Sequence, residues 1–357
     1  MTLKALLDGL EIPIIQAPMV GASDAALAIA VSRAGGLGSL AAGVLAPDEI
    51  GPAVEAVRGA TDRPFAVNLL VAPKAEPDAE TLEAAIQRLR PWYAARGEPA
   101  PEAPNRFAPD FDAQLEALVA AAPPIATFAF DVLRRDQVEA LKRAGVQVVG
   151  TANTVAEARA WAEAGADGIC AQGSEAGGHR GNFLADVEES LVGTLALAAT
   201  VRAAVDLPVI AAGGIMDGRG VAAVLALGAE AAQMGTAFLL SDEAITSQPW
   251  RAAIAGAPDD PTRLTRAFTG RFARGIENRF MREMRTVERD VPAYPVQNRL
   301  TQPLRAAAAR DGDAEMLSLW AGQAVRMAEP GRAGDLLRRW WEEAREAAGE
   351  LASRTGI

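Results

Sequence analysis

The sequence predicts an α/β fold: a parallel (β/α)8 barrel with a helical C-terminal appendage and an insertion after its third strand. Three observations predict it. Short apolar runs alternate with Ala-rich amphipathic stretches almost from the start. The runs number eight, at 12–17, 38–42, 65–70, 125–130, 147–151, 168–172, 208–212 and 232–236, the number that closes a parallel barrel of the TIM type. Several of the stretches between them end at glycine, which can take the left-handed conformation that stops a helix before the next strand.

Taken in order, helices start where a capping side chain precedes an amphipathic run: Ser23 or Asp24 before 25–33, Pro47-Asp48-Glu49 before a run to Arg58, and Thr154 before 155–164. They stop at Ala34-Gly35-Gly36, Ala144-Gly145, Ala164-Gly165 and Leu227-Gly228. The segment 72–112 carries Pro73, Pro77, Pro91, Pro99, Pro101, Pro104 and Pro109, breaks the unit spacing, and is read as the insertion. From Ser241 onward no strand alternation is visible. The stretches 314–327 and 332–347 have a helical pattern, with Met316 and Trp320 read as core residues and the terminal charges as a solvated face. The expected organisation is a barrel over 1–240, interrupted by 72–112, and a mainly helical region over 241–357 packed on its substrate side.

Composition narrows the function. Half of the 357 residues are hydrophobic, and a chain of this size buries roughly 75% of its unfolded surface, so no metal or disulfide is needed to hold it. Lys plus Arg number 35 against 46 Asp plus Glu, a formal charge of -11 that opposes binding to nucleic acid or an anionic membrane. Cys170 is the only cysteine, which excludes an intrachain disulfide and a multi-thiolate zinc site. His179 is the only histidine, so any Ser-His-Asp triad or His-ligated metal would have to pass through it. No metal is expected. Residues 1–8 lack a signal-peptide pattern, and no uncharged apolar run reaches about 18 residues. These features suit a soluble cytoplasmic protein with a small-molecule ligand, and they are compatible with a homo-oligomer.

In such a barrel the chemistry sits at the C-terminal strand ends. There the sequence reads Gln16-Ala17-Pro18-Met19, Asn68, Gln172 through His179, Gly213-Gly214, and Gln233-Met234-Gly235-Thr236. The glycine pair after the seventh run is either a plain tight turn or, with Gly235-Thr236, a set of N–H groups placed to hold a phosphate. A doubly wound dinucleotide site is disfavoured because no G-x-G-x-x-G follows the first strand. Asn68, Gln172 and Gln233 lie in apolar strands, where an unpaired amide costs about 1–3 kcal/mol. They either bond to neighbouring loops or meet the edge of a planar heterocycle such as a flavin ring. The loop 174–181 is glycine-rich and holds the sole imidazole, either a structural residue or a group suited by its ordinary pKa near 6.5 to proton transfer or anion binding. Glu175 and Arg180 read as surface-loop residues and Cys170 as a small core residue.

These segments resemble the nitronate monooxygenases, formerly called 2-nitropropane dioxygenases, nearly end to end. The resemblance is carried by 13–19, by 167–181 with its histidine loop, by Ala211-Ala212-Gly213-Gly214-Ile215, by 233–236, and by Ser318-Leu319-Trp320-Ala321-Gly322-Gln323, which is similar to a tail motif of class I members. It implies an FMN-containing barrel that oxidises alkyl nitronates with O2 to a carbonyl compound and nitrite, with propionate 3-nitronate as the class I substrate. It also implies that Ala17, Pro18, Met19, Asn68, Gln172, Gly177, Gly213, Gly214, Gln233, Met234, Gly235 and Thr236 contact FMN. His179 and Tyr294 would face the substrate, with His179 hydrogen bonding to the nitronate or acting as base for a neutral nitroalkane. Two departures accompany it. Ala129 stands where class I members often have a second histidine, and Asn298 and Gln302 stand where relatives place aromatic or basic side chains. The alternatives are an FMN-dependent NAD(P)H:quinone or enoyl reductase on the same barrel, and a barrel that binds a phosphorylated ligand without redox chemistry.

Overall fold

The computed structural model describes residues 2–72 and 74–355; Met1, Gly356, Ile357 and the Pro73 counted in the insertion lie outside the described residues. Each apolar run becomes a strand: β1 Ile14–Gln16, β2 Gly38–Ala41, β3 Phe65–Leu70, β4 Ile125–Ala129, β5 Gln147–Ala152 and β6 Gly168–Gln172, then, after the two-residue β7 Gly178–His179, β8 Val209–Ala212 and β9 Ala231–Met234. Every rung of the large sheet is parallel, in the order β1-β9-β8-β6-β5-β4-β3-β2. The ring closes between β1 and β2 through Leu37, whose N–H donates to Ile14 O (3.0 Å) and whose carbonyl accepts from Gln16 N (2.9 Å). A closed ring leaves no sheet edge to template aggregation.

The caps expected from the sequence form. Asp24 accepts from Ala26 N at 2.8 Å and Thr154 from Glu157 N at 3.2 Å. Inward-facing strand residues are small or branched, among them Ile15, Ala66, Ile125, Val149, Cys170, Ile210 and Ala231. The helix Leu3–Asp8 joins this interior cluster through Leu3 and Leu7. A second layer of Val, Leu and Phe side chains fills the space between strands and outer helices, as the alternation of a strand's two faces requires.

In the insertion, helix Ala79–Ala94 buries Ala85, Ile86, Leu89 and Tyr93. It is fastened to helix Val296–Asp311: Tyr93 Oη donates to Leu300 O at 2.6 Å, and Arg96 pairs with Asp311 and Asp313. The insertion therefore packs on the tail.

The tail departs from expectation in two places. It contains strands, β10 Thr262–Thr265 and β11 Ala273–Ile276, which are antiparallel to one another, and β11 also pairs with β7. Four-residue strands reading TRLT and ARGI carry too little alternation to be seen in a sequence window. The stretch 314–327 is not one helix but two single turns, Ala314–Met316 and Val325–Met327, flanking an extended crossing. There the backbone finds partners outside its own segment: Ile276 N donates to Leu319 O (2.9 Å) and Ala321 N to Arg274 O (3.2 Å). The last helix, Ala333–Thr355, buries Leu336, Leu337, Trp340 and Ala344 against the barrel and turns its charged face outward. Among the described residues no helix is long and apolar enough to cross a membrane.

Candidate active site

The C-terminal mouth of the barrel holds a cavity of about 470 Å³, walled on one side by the strand tips and on the other by the tail. Ala17, Pro18, Met19, Asn68, Gln172, Gly177, His179, Gly213, Gly214, Gln233, Gly235, Thr236 and Tyr294 all line it. Met234 does not: its side chain is buried with Ile14 and Phe238 in the outer layer, because strand residues alternate faces and Gln233 takes the inward one.

At the tips of β8 and β9 the backbone is built as a cradle. Gly213 and Gly214 have φ of 117° and 71°, the left-handed region that side chains avoid. A Cβ on Gly213 would stand 2.9 Å from Thr194 Oγ1, and one on Gly214 would stand 3.1 Å from Glu175 Cβ. The N–H groups of Gly213, Gly214, Gly235 and Thr236 have no acceptor among the described residues. Thr236 Oγ1 accepts from Gly322 N at 2.9 Å, which leaves its hydroxyl proton for a ligand. Orphan donors around a glycine-lined hollow fit an anion such as a flavin phosphate.

The three amides divide. Gln172 is committed to the histidine loop: Oε1 accepts from Asn153 Nδ2 and Gly181 N, both at 2.9 Å, and Nε2 donates to His179 O at 3.0 Å. Asn68 Nδ2 donates to Thr127 O and Oγ1, leaving Oδ1 toward the cavity. Gln233 makes only a 3.5 Å contact from Nε2 to Cys170 Sγ. Asn68 and Gln233 thus keep polar atoms for a ligand edge, whereas Gln172 chiefly shapes the loop. Burial pushes the Cys170 thiol up to about 12, so it carries no thiolate at neutral pH.

The loop that bears His179 is held from beneath by residues expected on the surface. Arg180 is fully buried, donating to Gly173 O (2.6 Å), Ser190 O (3.2 Å) and Gln172 O (3.3 Å). Glu175 accepts from Thr194 N at 2.9 Å at the start of helix Thr194–Ala204. Arg180 is internal and Glu175 partly covered because the tail crosses the loop: Gln323 N donates to Glu175 O at 3.0 Å. A Cβ on Gly177 would lie 2.5 Å from Ala321 C and Gly322 N, so glycine is what lets the two backbones cross.

His179 itself sits in β7 opposite Ala273 of β11. Phe130, Trp320 and Tyr294 surround its ring, with centroids at 5.4, 5.6 and 5.9 Å. Trp320 is therefore a cavity wall as well as a packing residue. Phe130 holds φ at 88°, an uncommon conformation for an aromatic residue. Burial first, then the charges of Arg271 and Arg305, push the imidazole down to about 3, so the ring is neutral at pH 7. Its Nε2 lies 2.9 Å from Thr269 Oγ1, which in turn donates to Arg271 O at 3.0 Å. A hydroxyl has one proton, so in this arrangement Nε2 is the donor and Nδ1 keeps its lone pair.

Asn298, noted in the sequence as a departure, lines the cavity; Thr269, Phe130 and Arg305 carried no such mark. A signal existed for Arg305, which follows Asn298 by seven residues in helix Val296–Asp311 and shares its face. Gln302 is exposed and bonds to Arg299 instead. Ala129 lines the cavity at the position noted for a missing histidine.

Comparison with known proteins agrees with this geometry. The family described as "Nitronate monooxygenase" matches residues 2–343. A "Probable nitronate monooxygenase" of Staphylococcus aureus (strain JH9) is 41% identical over 320 residues, covering 89% of this chain and 90% of the relative. The solved structure of a nitroalkane oxidase from Streptomyces ansochromogenes superposes with a TM-score of 0.90 at 44% identity, covering 97% of this chain and 99% of that one. FabK from Thermotoga maritima gives a TM-score of 0.77 at 30% identity, covering 100% of this chain and 99% of that one. Sequence, fold and site converge, and the chain belongs to the nitronate monooxygenase family of flavin-dependent oxidoreductases.

Proposed function

We propose that this protein binds FMN and, with O2, oxidises alkyl nitronates, propionate 3-nitronate among them, to a carbonyl compound and nitrite. One observation carries it: a cradle of orphan N–H groups at the tips of β8 and β9 shares a single cavity with the chain's only imidazole. Gly213, Gly214, Gly235 and Thr236 would hold the phosphate. Ala17, Pro18, Met19, Asn68, Gly177 and Gln233 would border the ring, with Gln172 behind them. When bound, FMN supplies the electron transfer between nitronate and oxygen.

The protein's own part is positioning and proton control. Phe130, Tyr294 and Trp320 form an apolar wall that keeps bulk water from His179. The Thr269 hydroxyl stands within hydrogen-bond distance of both Arg271 O and the imidazole. The hydroxyl can therefore serve either neutral tautomer: with its proton on Arg271 O it accepts from Nε2–H and leaves Nδ1 as acceptor, and turned toward the ring it donates to a bare Nε2 when the imidazole proton has moved to Nδ1 by exchange with substrate or water. As donor the ring hydrogen bonds to a nitronate oxygen, and as acceptor it is the base for a neutral nitroalkane. A ring whose pKa is held near 3 is a weak base, so the site favours substrates that arrive already ionised.

The test is an absorbance spectrum of the purified protein followed by nitronate addition in air. The expected result is a yellow protein that releases FMN on denaturation and consumes O2 with propionate 3-nitronate. His179→Asn should keep its FMN and lose turnover by about 10²–10⁴-fold. A colourless protein that takes up no FMN overturns the cofactor assignment. A yellow protein inert to all nitronates overturns the substrate assignment, and rapid anaerobic bleaching by NADH or NADPH would then identify a reductase.

A further inference from the structure

Among the described residues lining the cavity, Arg305 is the only charged one. Its Nη2 donates to Asn298 O (3.0 Å) and Oδ1 (2.8 Å), Nη1 lies 3.5 Å from Ser318 Oγ, and Nε is buried without a partner. No Asp or Glu among the described residues forms an ion pair with it. Among the described residues, the other buried arginines beside the histidine loop are turned to protein partners rather than the cavity: Arg180 bonds to three backbone carbonyls, Arg271 to Arg180 O and Asn182 O, and Arg274 to Ser174 O with Thr262 Oγ1 at 3.5 Å. A guanidinium taken from water without a counter-charge costs several kcal/mol, and it cannot escape by deprotonating at neutral pH.

The place of Arg305 relative to His179 says what it is for. The two make no hydrogen bond or ring contact with each other, yet Arg305 acts electrostatically on both His179 and Tyr294. The imidazole's own neighbours are Phe130, Tyr294, Trp320 and Thr269. The cation stands back from the group that faces the reacting end, on the tail side of the cavity, whereas the N–H cradle belongs to β8 and β9. Resting on the function proposed above, we infer that Arg305 is a specificity-determining residue: it binds a carboxylate at the end of the substrate remote from the nitronate. A tail arginine would thereby supply the anion recognition that Ala129, Asn298 and Gln302 cannot.

The experiment compares wild type, Arg305→Met and Arg305→Lys in their FMN-loaded form on two nitronates, propionate 3-nitronate and propyl 1-nitronate, which has a methyl group in place of the carboxylate. Losing one partner of a buried charge pair costs about 30-fold or more. The kcat/KM ratio of carboxylated to methyl substrate should therefore fall at least tenfold in Arg305→Met and recover in part in Arg305→Lys. Calorimetric binding of 3-nitropropionate and 1-nitropropane, both as neutral nitro forms, gives a readout without turnover. Wild type should bind the carboxylated compound more tightly, and Arg305→Met should not.

Equal losses on both substrates, or no preference in wild-type binding, overturn the inference while leaving nitronate oxidation standing. A preference that disappears in Arg305→Met, in a protein that turns over neither nitronate, upholds the anion site and overturns the proposed reaction. Loss of FMN from folded Arg305→Met and Arg305→Lys would assign the arginine to the flavin phosphate and overturn the inference.

Discussion

His179→Asn should make the protein less sensitive to acid. Burial and the charges of Arg271 and Arg305 hold the folded imidazole near 3 against an ordinary 6.5. Between those values the unfolded chain binds a proton that the folded chain refuses, so stability present above about pH 6.5 is lost as the pH falls, by about 1.4 kcal/mol per unit. At about pH 5 the accumulated loss is about 2 kcal/mol. Many carboxylates also titrate on the way down, but they are common to both proteins and cancel in the comparison. Urea unfolding of FMN-loaded wild type and His179→Asn at about pH 7.5 and about pH 5 should therefore give a wild-type drop about 2 kcal/mol larger than the variant's. Parallel losses would refute the reasoning, because they would mean that the ring protonates in the folded state as easily as in water. With one histidine in the chain, the imidazole NMR signal reports the same quantity without assignment.

Three further outcomes follow from the geometry. Gly177→Ala places a methyl group 2.5 Å from the backbone of Ala321 and Gly322; it should lower stability by about 2 kcal/mol or more and reduce turnover, as seen in urea unfolding and O2 uptake. Gly214→Ala must hold φ at 71°, a conformation costing about 1–2 kcal/mol for an L-residue; FMN titration by fluorescence should show about tenfold weaker binding with an unchanged far-UV CD spectrum. Arg96 is only 12% exposed and joins the insertion to the tail through Asp311 and Asp313; Arg96→Ala should cost about 1–3 kcal/mol in urea unfolding.

The barrel was legible because each strand is a run of apolar residues between a glycine stop and a capped helix start, and local chemistry of that kind survives into the structure. Asp24, Thr154 and Gly165 do what their types suggest. The strand-tip residues were legible for the same reason, since position in a barrel repeat fixes which end of a strand they occupy; only Met234 falls on the wrong face. The tail was harder. β11 pairs with β10 nearby, but it also depends on β7, whose paired residues lie 94 and 96 positions away, and on the crossing at Trp320, 45 positions away, partners that no short window contains. Arg180 looks like a surface residue until the fold buries it, and Glu175 until the tail partly covers it. Thr269 and Arg305 matter through what they face, and a sequence shows facing only where periodicity is strong, as along helix Val296–Asp311.

On the proposed function, the strand-tip N–H groups of Gly213, Gly214, Gly235 and Thr236 bind the flavin phosphate. Titrating flavin-stripped protein with FMN and with riboflavin isolates that group, since the two ligands differ by the phosphate alone. Hydrogen bonds to a charged acceptor contribute about 1.5–3 kcal/mol each, so FMN should bind at least about 100-fold tighter than riboflavin. Equal dissociation constants for the two would contradict it.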